Sequence, residues 1–195
     1  MITPTNITNY NRTQEELEEF LLFCILVAGK NAEQTARKLN SFLSKRKDFG
    51  VADMTPFEFV KYLDDDKLLL SVMQSEKLGQ YRRIAHSFRE IIKHKSKLNS
   101  VTPYELEQIK GIGSKTSRFF VLHSRPKQHY AVLDTHILRW LRDHGINAPK
   151  STPSKNKYIQ LEKQFLNYAN EYGILPAELD LQIWTTYANQ KIKTK

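Results

Sequence analysis

Three times along this chain a threonine is followed three residues later by a glutamate, and each time an apolar run begins there. Thr13–Glu16, Thr55–Glu58 and Thr102–Glu105 all fit the capping box, in which side chain and backbone at a helix start satisfy each other. In the second and third boxes a proline, Pro56 and Pro103, stands at the first helical position. Asn31 can cap a further helix whose apolar stripe runs through Ala32, Ala36, Leu39, Phe42 and Leu43. From Tyr81 to Lys97 apolar residues recur at Ile84, Ala85, Phe88, Ile91 and Ile92, again a helical period. Later helices read as Asp134 to Asp143, Asn156 to Tyr172 and one starting near Pro176. No segment alternates with period two, so the expected fold is all-α.

With 195 residues the chain can form one sizeable core or two small helical lobes. The one long loop-like stretch, Ile146 to Ser154, divides it. The expectation is a two-lobed bundle within a single 1–195 fold. Residues 31–145 would make one lobe; the N-terminal helix and 150–195 would pack together as the other. The tail Lys191–Lys195 is expected to be solvent-exposed.

Composition excludes several classes. The longest apolar stretch, Phe20 to Gly29, is too short to span a bilayer, and no secretory leader is expected in MITPTNITNYNRTQ. The single cysteine, Cys24, leaves no internal disulfide and no cysteine-ligated iron–sulfur cluster. A cytoplasmic, nucleoid-associated monomer is the simplest expectation. A formal net charge of +9 suits a polyanionic partner such as DNA, although basic residues also serve simply to solvate a surface.

The stretch 106–141 carries chemistry. Gly111-Ile112-Gly113 permits a tight turn between two helices, and a new helix starts at about Ser114, with Lys115 in its first turn. The unpaired N–H groups of such a start suit a DNA phosphate. Taken alone, the turn fits an αα-corner better than a DNA-binding element. Asp134, nineteen residues after Lys115, fits a helix N-cap as readily as a catalytic carboxylate.

Together these residues resemble a known family. Leu106-x-x-Ile109-x-Gly111-Ile112-Gly113-x-Lys115-Thr116, followed by Ala131-Val132-Leu133-Asp134-Thr135-His136, is similar to the helix–hairpin–helix DNA glycosylase superfamily, which includes endonuclease III. Gly79-x-Tyr81-x-x-x-Ala85 matches a further landmark of that superfamily. Phe23–Leu26 and Asp180-Leu181-x-Ile183-Trp184 are similar to its small, cluster-free 8-oxoguanine glycosylase/AP lyases. The resemblance implies a bifunctional enzyme acting on double-stranded DNA. A modified base, 8-oxoguanine first among them, is flipped out; Lys115 is the nucleophile and Asp134 its partner carboxylate. It also implies DNA contacts from Gly111, Ile112, Gly113, Ser114, Thr116 and His136. No cofactor or transition metal is expected, since neither His123 nor His129 has companions at ligand spacing, but a monovalent cation could sit on the hairpin carbonyls.

For the base pocket the candidates are Trp184, Tyr81, Gly29, Lys30 and Asn31. Trp184 and Tyr81 could stack on a base or simply pack in the core. At Gly29-Lys30-Asn31 the chain departs from its relatives, which carry bulkier polar residues that fill the gap left by the extruded base. This leaves the base preference open. Oxidised pyrimidines or bulky modified cytosines are alternative substrates, and a non-catalytic DNA-binding module is the alternative class. Arg118 and Arg139, near the key residues, could face phosphate or solvent.

Overall fold

The structure, a computed structural model, describes residues 2–94 and 97–190; the Lys191–Lys195 tail and the end of the helix expected to reach Lys97 lie partly or wholly outside them. The described residues form a 3-10 turn and ten helices: α1 (Gln14–Leu26), α2 (Ala32–Asp48), α3 (Pro56–Asp65), α4 (Leu69–Ser75), α5 (Tyr81–Lys93), α6 (Pro103–Leu106), α7 (Ser114–Ser124), α8 (Thr135–Asp143), α9 (Lys155–Glu171) and α10 (Pro176–Gln190). All three capping boxes form, each with both reciprocal hydrogen bonds. Asn31 caps α2 by accepting the Gln34 N–H at 2.9 Å.

Most of the apolar side chains from Ile2 to Val121 form one core, and most of those from Ala131 to Tyr187 form a second. The division differs from the lobes expected from sequence. Helix α1 lies in the first core, against α2, α3, α5 and α7, and α8 joins α9 and α10 in the second. The reason lies in α1 itself. Leu17 and every residue from Phe20 to Leu26 are buried, so the helix is apolar around most of its circumference and must be surrounded.

A buried arginine joins the two cores. Arg118, one turn after Lys115, is 2% exposed; neither phosphate nor solvent reaches it. Its Nε donates to Glu162 Oε1 of α9 at 2.8 Å, and Nη1 donates to Glu107 beside the hairpin. Burial works against its charge, but the two carboxylates more than offset this and hold its pKa above the usual arginine value. Glu162 Oε1 also accepts the Ala131 N–H at 2.9 Å. The Tyr158 hydroxyl donates to the Ala131 carbonyl at 2.7 Å and accepts the Leu133 N–H at 3.1 Å. Residues 131–133 are buried but not helical, and α9 side chains supply the partners that a helix or sheet would otherwise give.

Replacing Glu162 by leucine leaves the buried guanidinium with Glu107 as its one remaining carboxylate and strands the buried Ala131 N–H. The expected loss is about 3–5 kcal/mol, read as a fall in Tm of roughly 10 °C for a chain of this length. A fall of less than about 2 °C would contradict the assignment.

Candidate active site

The hairpin is set by packing as much as by turn chemistry. Gly111 has φ +101°, and a Cβ there would lie 2.1 Å from Ser87 Oγ of α5. Ile112 is buried in the first core and its N–H donates to the Ile109 carbonyl at 3.0 Å. Gly113 is extended, exposed, and has open space where a side chain would be. No side chain caps α7, whose first intrahelical hydrogen bond is Ser117 N–H to the Gly113 carbonyl. The N–H groups of Ser114, Lys115 and Thr116 thus precede the hydrogen-bonded ladder at an accessible, positively polarised end. The Ile109 and Gly113 carbonyls each accept one N–H. A monovalent cation would be held there by backbone oxygens alone.

Lys115 is half-buried in the first turn of α7. Its charge is felt at Cys24 of α1 and at Asp180 of α10. Burial pushes the Cys24 thiol well above its ordinary range, against the opposing pull of Arg12 and Lys115. Asp134 is the N-cap of α8, and its Oδ1 accepts the His136 N–H at 2.8 Å and the Ile137 N–H at 2.9 Å. It is therefore a helix cap, and it is also felt at Asp180. Lys115 and Asp134 are mounted on one frame: Arg118 follows the lysine by three residues, Ala131 precedes the aspartate by three, and Glu162 binds both.

The other candidates separate into two groups. Trp184, half-buried, meets the His136 ring edge-on at 6.5 Å between centroids, so this pair lies beside Asp134. Lys30 and Asn31 lie instead against the turn before α5, while Gly29 (φ +73°) has open space where a side chain would be. Lys30 Nζ donates to the Leu78 carbonyl at 2.7 Å and lines a cavity of about 120 Å³ with Asn31, Gln34, Lys38 and Leu78. Neither Lys115 nor Asp134 lines it. Burial, with Arg83 and Lys38 nearby, lowers the Lys30 amine to about 8. Tyr81 is packed against the first core. Arg139 is exposed, its guanidinium 5.1 Å from the Tyr187 ring. Among the described residues no group of three or more His, Cys, Asp or Glu could hold a metal, and no helix is long and apolar enough to cross a membrane.

Sequence reasoning passed over one cluster. His123 is fully buried, with Thr8 Oγ1 at 2.7 Å from Nδ1 and Asp180 Oδ2 at 3.1 Å from Nε2. Its partners lie 115 and 57 residues away, so no local spacing announces them.

A family model described as 8-oxoguanine DNA glycosylase matches residues 4–174. The 8-oxoguanine DNA glycosylase/AP lyase of Thermoplasma acidophilum is 28% identical over 181 residues, covering 93% of this chain and 84% of that protein. The enzyme of the same name from Methanocaldococcus jannaschii is 28% identical over 94% of this chain and 86% of its own length. Among solved structures, the M. jannaschii 8-oxoguanine glycosylase/lyase in complex with a 15mer DNA containing 8-oxoguanine superposes with a TM-score of 0.67 at 25% identity, covering 92% of this chain and 84% of that one. The 8-oxoguanine DNA glycosylase of Thermotoga maritima gives 0.65 at 25% identity, over 93% and 85%.

Gly111→Ala meets both a positive φ and the Ser87 side chain. It should cost about 1–3 kcal/mol and weaken binding to duplex DNA. Adding Ser87→Gly should recover part of the stability by removing the clash while the backbone strain remains. Thermal melts of the single and double variants check this, and equal melts would contradict it.

Proposed function

The chain belongs to the 8-oxoguanine DNA glycosylase family, and on that basis we propose that it excises 8-oxoguanine from duplex DNA and cuts the strand with Lys115 as nucleophile and Asp134 as partner carboxylate. The observation that carries this reading is the shared frame of the two side chains, with the lysine at an open helix start and the aspartate pinned as a cap.

A base inside a duplex is out of reach, so the damaged nucleotide must be extruded at the expense of its stacking. The N–H groups at the start of α7 take a phosphate and hold the bent strand. Gly113 lets the phosphodiester come close, since it presents no side chain there. Trp184, beside His136, offers an aromatic face to the extruded base.

Lys115, as a neutral amine, attacks C1′ of that nucleotide. The C1′–N9 bond breaks and the base departs with a proton. Opening of the sugar gives a Schiff base on Nζ, and loss of a C2′ proton expels the 3′ phosphate, which cuts the strand. Asp134 offsets the positive charge that develops on the sugar. This role needs a fixed carboxylate, which the two N–H groups at the α8 terminus provide. A DNA-repair role of this kind places the protein in the cytoplasm with the nucleoid.

Single-turnover assays on a duplex bearing one 8-oxoguanine test the assignment. Lys115→Ala should leave no strand cleavage above background. Asp134→Asn should slow excision roughly 10²–10³-fold, the scale of one lost electrostatic stabiliser, with DNA affinity within about threefold, since phosphate contacts carry most of the binding. Full cleavage by Lys115→Ala would refute the nucleophile.

A further inference from the structure

One buried carboxylate is left without a role by the chemistry above. Asp180 of α10 is 7% exposed; its Oδ2 lies 3.1 Å from His123 Nε2, while its Oδ1 is buried without any hydrogen-bond partner among the described residues. His123 is braced on its other side by Thr8, and Arg12 donates to its backbone carbonyl at 2.8 Å. Its ring meets the Phe119 ring edge-on at 5.3 Å. Lys115, Phe119 and His123, spaced by four, lie along one face of α7. A hydrogen-bonded chain thus runs from the N-terminal segment through α7 to α10 and ends in an unengaged oxygen. Native structures rarely leave such an atom unpaired, and a catalytic role is one of the recognised reasons when they do.

The titratable groups around Asp180 come from three helices. From α7 it faces His123 and Lys115, from the start of α8 Asp134, and from α9 Tyr158. Burial raises its pKa; Asp134 adds to the effect, while His123 and Lys115 oppose it. The two carboxylates are therefore not equivalent. Asp134 has two backbone N–H groups on one oxygen, whereas Asp180 keeps one oxygen bare in a dry setting beside a second negative charge. Environments that separate two neighbouring carboxylates in this way commonly separate their roles.

We propose that Asp180 is a second carboxylate of the active site acting through Lys115, its unpartnered Oδ1 taking the proton that the lysine must release before it attacks. An N–H bond of the ammonium breaks and an O–H bond forms on Oδ1, so one positive and one negative charge vanish together and no outside acid or base is consumed. Entry of the extruded nucleotide excludes water and penalises both charges, which drives the transfer when it is needed. His123 is a positioning residue: it holds Oδ2, so that Oδ1 is the oxygen presented. The proposal rests on reading Lys115 as the nucleophile.

The test is the pH dependence of single-turnover excision on the 8-oxoguanine duplex, measured for the wild-type protein and Asp180→Asn with melting and DNA affinity as controls. Loss of the internal acceptor should slow excision at pH 7 by roughly 10²-fold, within the range of general-base contributions. The deficit should shrink toward alkaline pH, where solvent takes the proton instead. A deficit constant across pH, or none, overturns the proposal. If Asp180→Asn does not melt cooperatively, the His123 variants decide. His123→Gln keeps a donor near the Nε2 position. His123→Leu removes it, so Asp180 holds its proton more tightly and the acidic limb of the profile should move to higher pH in that variant alone. An unmoved limb in His123→Leu overturns the proposal. Borohydride trapping separates the two levels of the argument. No covalent adduct from the wild-type protein removes the nucleophile and this proposal together, whereas an adduct accompanied by parallel pH profiles removes this proposal alone.

Discussion

The guanidinium of Arg118 is the contact on which the geometry of the candidate site depends. It is buried, it bridges carboxylates from the hairpin turn and from α9, and the α9 carboxylate in turn holds the backbone just before Asp134. A buried charge of this kind contributes little net stability compared with a well-packed apolar group, yet breaking it is costly. Its value here is geometric. Lys115 and Asp134 stand at the starts of two helices, α7 and α8, whose apolar side chains lie mostly in different cores, and a polar link ties the two where apolar packing alone would tolerate sliding. Tyr158 completes the link by satisfying the backbone of residues 131–133 on both sides.

Around that frame the protein places polar groups where each has a defined set of partners. The exposed end of α7 keeps its N–H groups uncapped, which suits a phosphate, while the N-terminus of α8 is closed by Asp134. Under the proposed function the two helix starts divide the labour: the uncapped one would take the DNA backbone, and the capped one would orient a carboxylate toward the sugar. Asp180 and His123 extend the polar interior from α7 to α10, and Asp180 feels the charges of both Lys115 and Asp134.

Much of this was legible in the sequence, for reasons that differ from residue to residue. The three capping boxes are local chemistry, and all three formed as read. Gly111 was legible as a turn glycine, but its close approach to Ser87, twenty-four residues earlier, could not be seen from spacing. The short α4 was missed because its cap position, Leu68, makes no side-chain hydrogen bond and leaves no signature. Arg118 looked like a residue for phosphate or solvent because a lone arginine gives no hint that two glutamates, eleven and forty-four residues away, will enclose it. The same holds for His123, whose partners come from the N-terminal segment and from α10. Local motifs announce helix ends and turns; buried polar networks are assembled by tertiary packing and are invisible until the chain is folded.

Under the proposed function one lysine out of many, Lys115, does the chemistry. Lys30 is the natural competitor, because its amine is lowered to about 8 and it lies in a cavity of its own. The most direct measurement is to trap the wild-type protein on 8-oxoguanine duplex DNA with borohydride, digest the adduct and map the modified residue by mass spectrometry. Sugar-derived mass is expected on Lys115 and on no other lysine; modification of Lys30, or a spread over surface lysines, would contradict Lys115 as nucleophile.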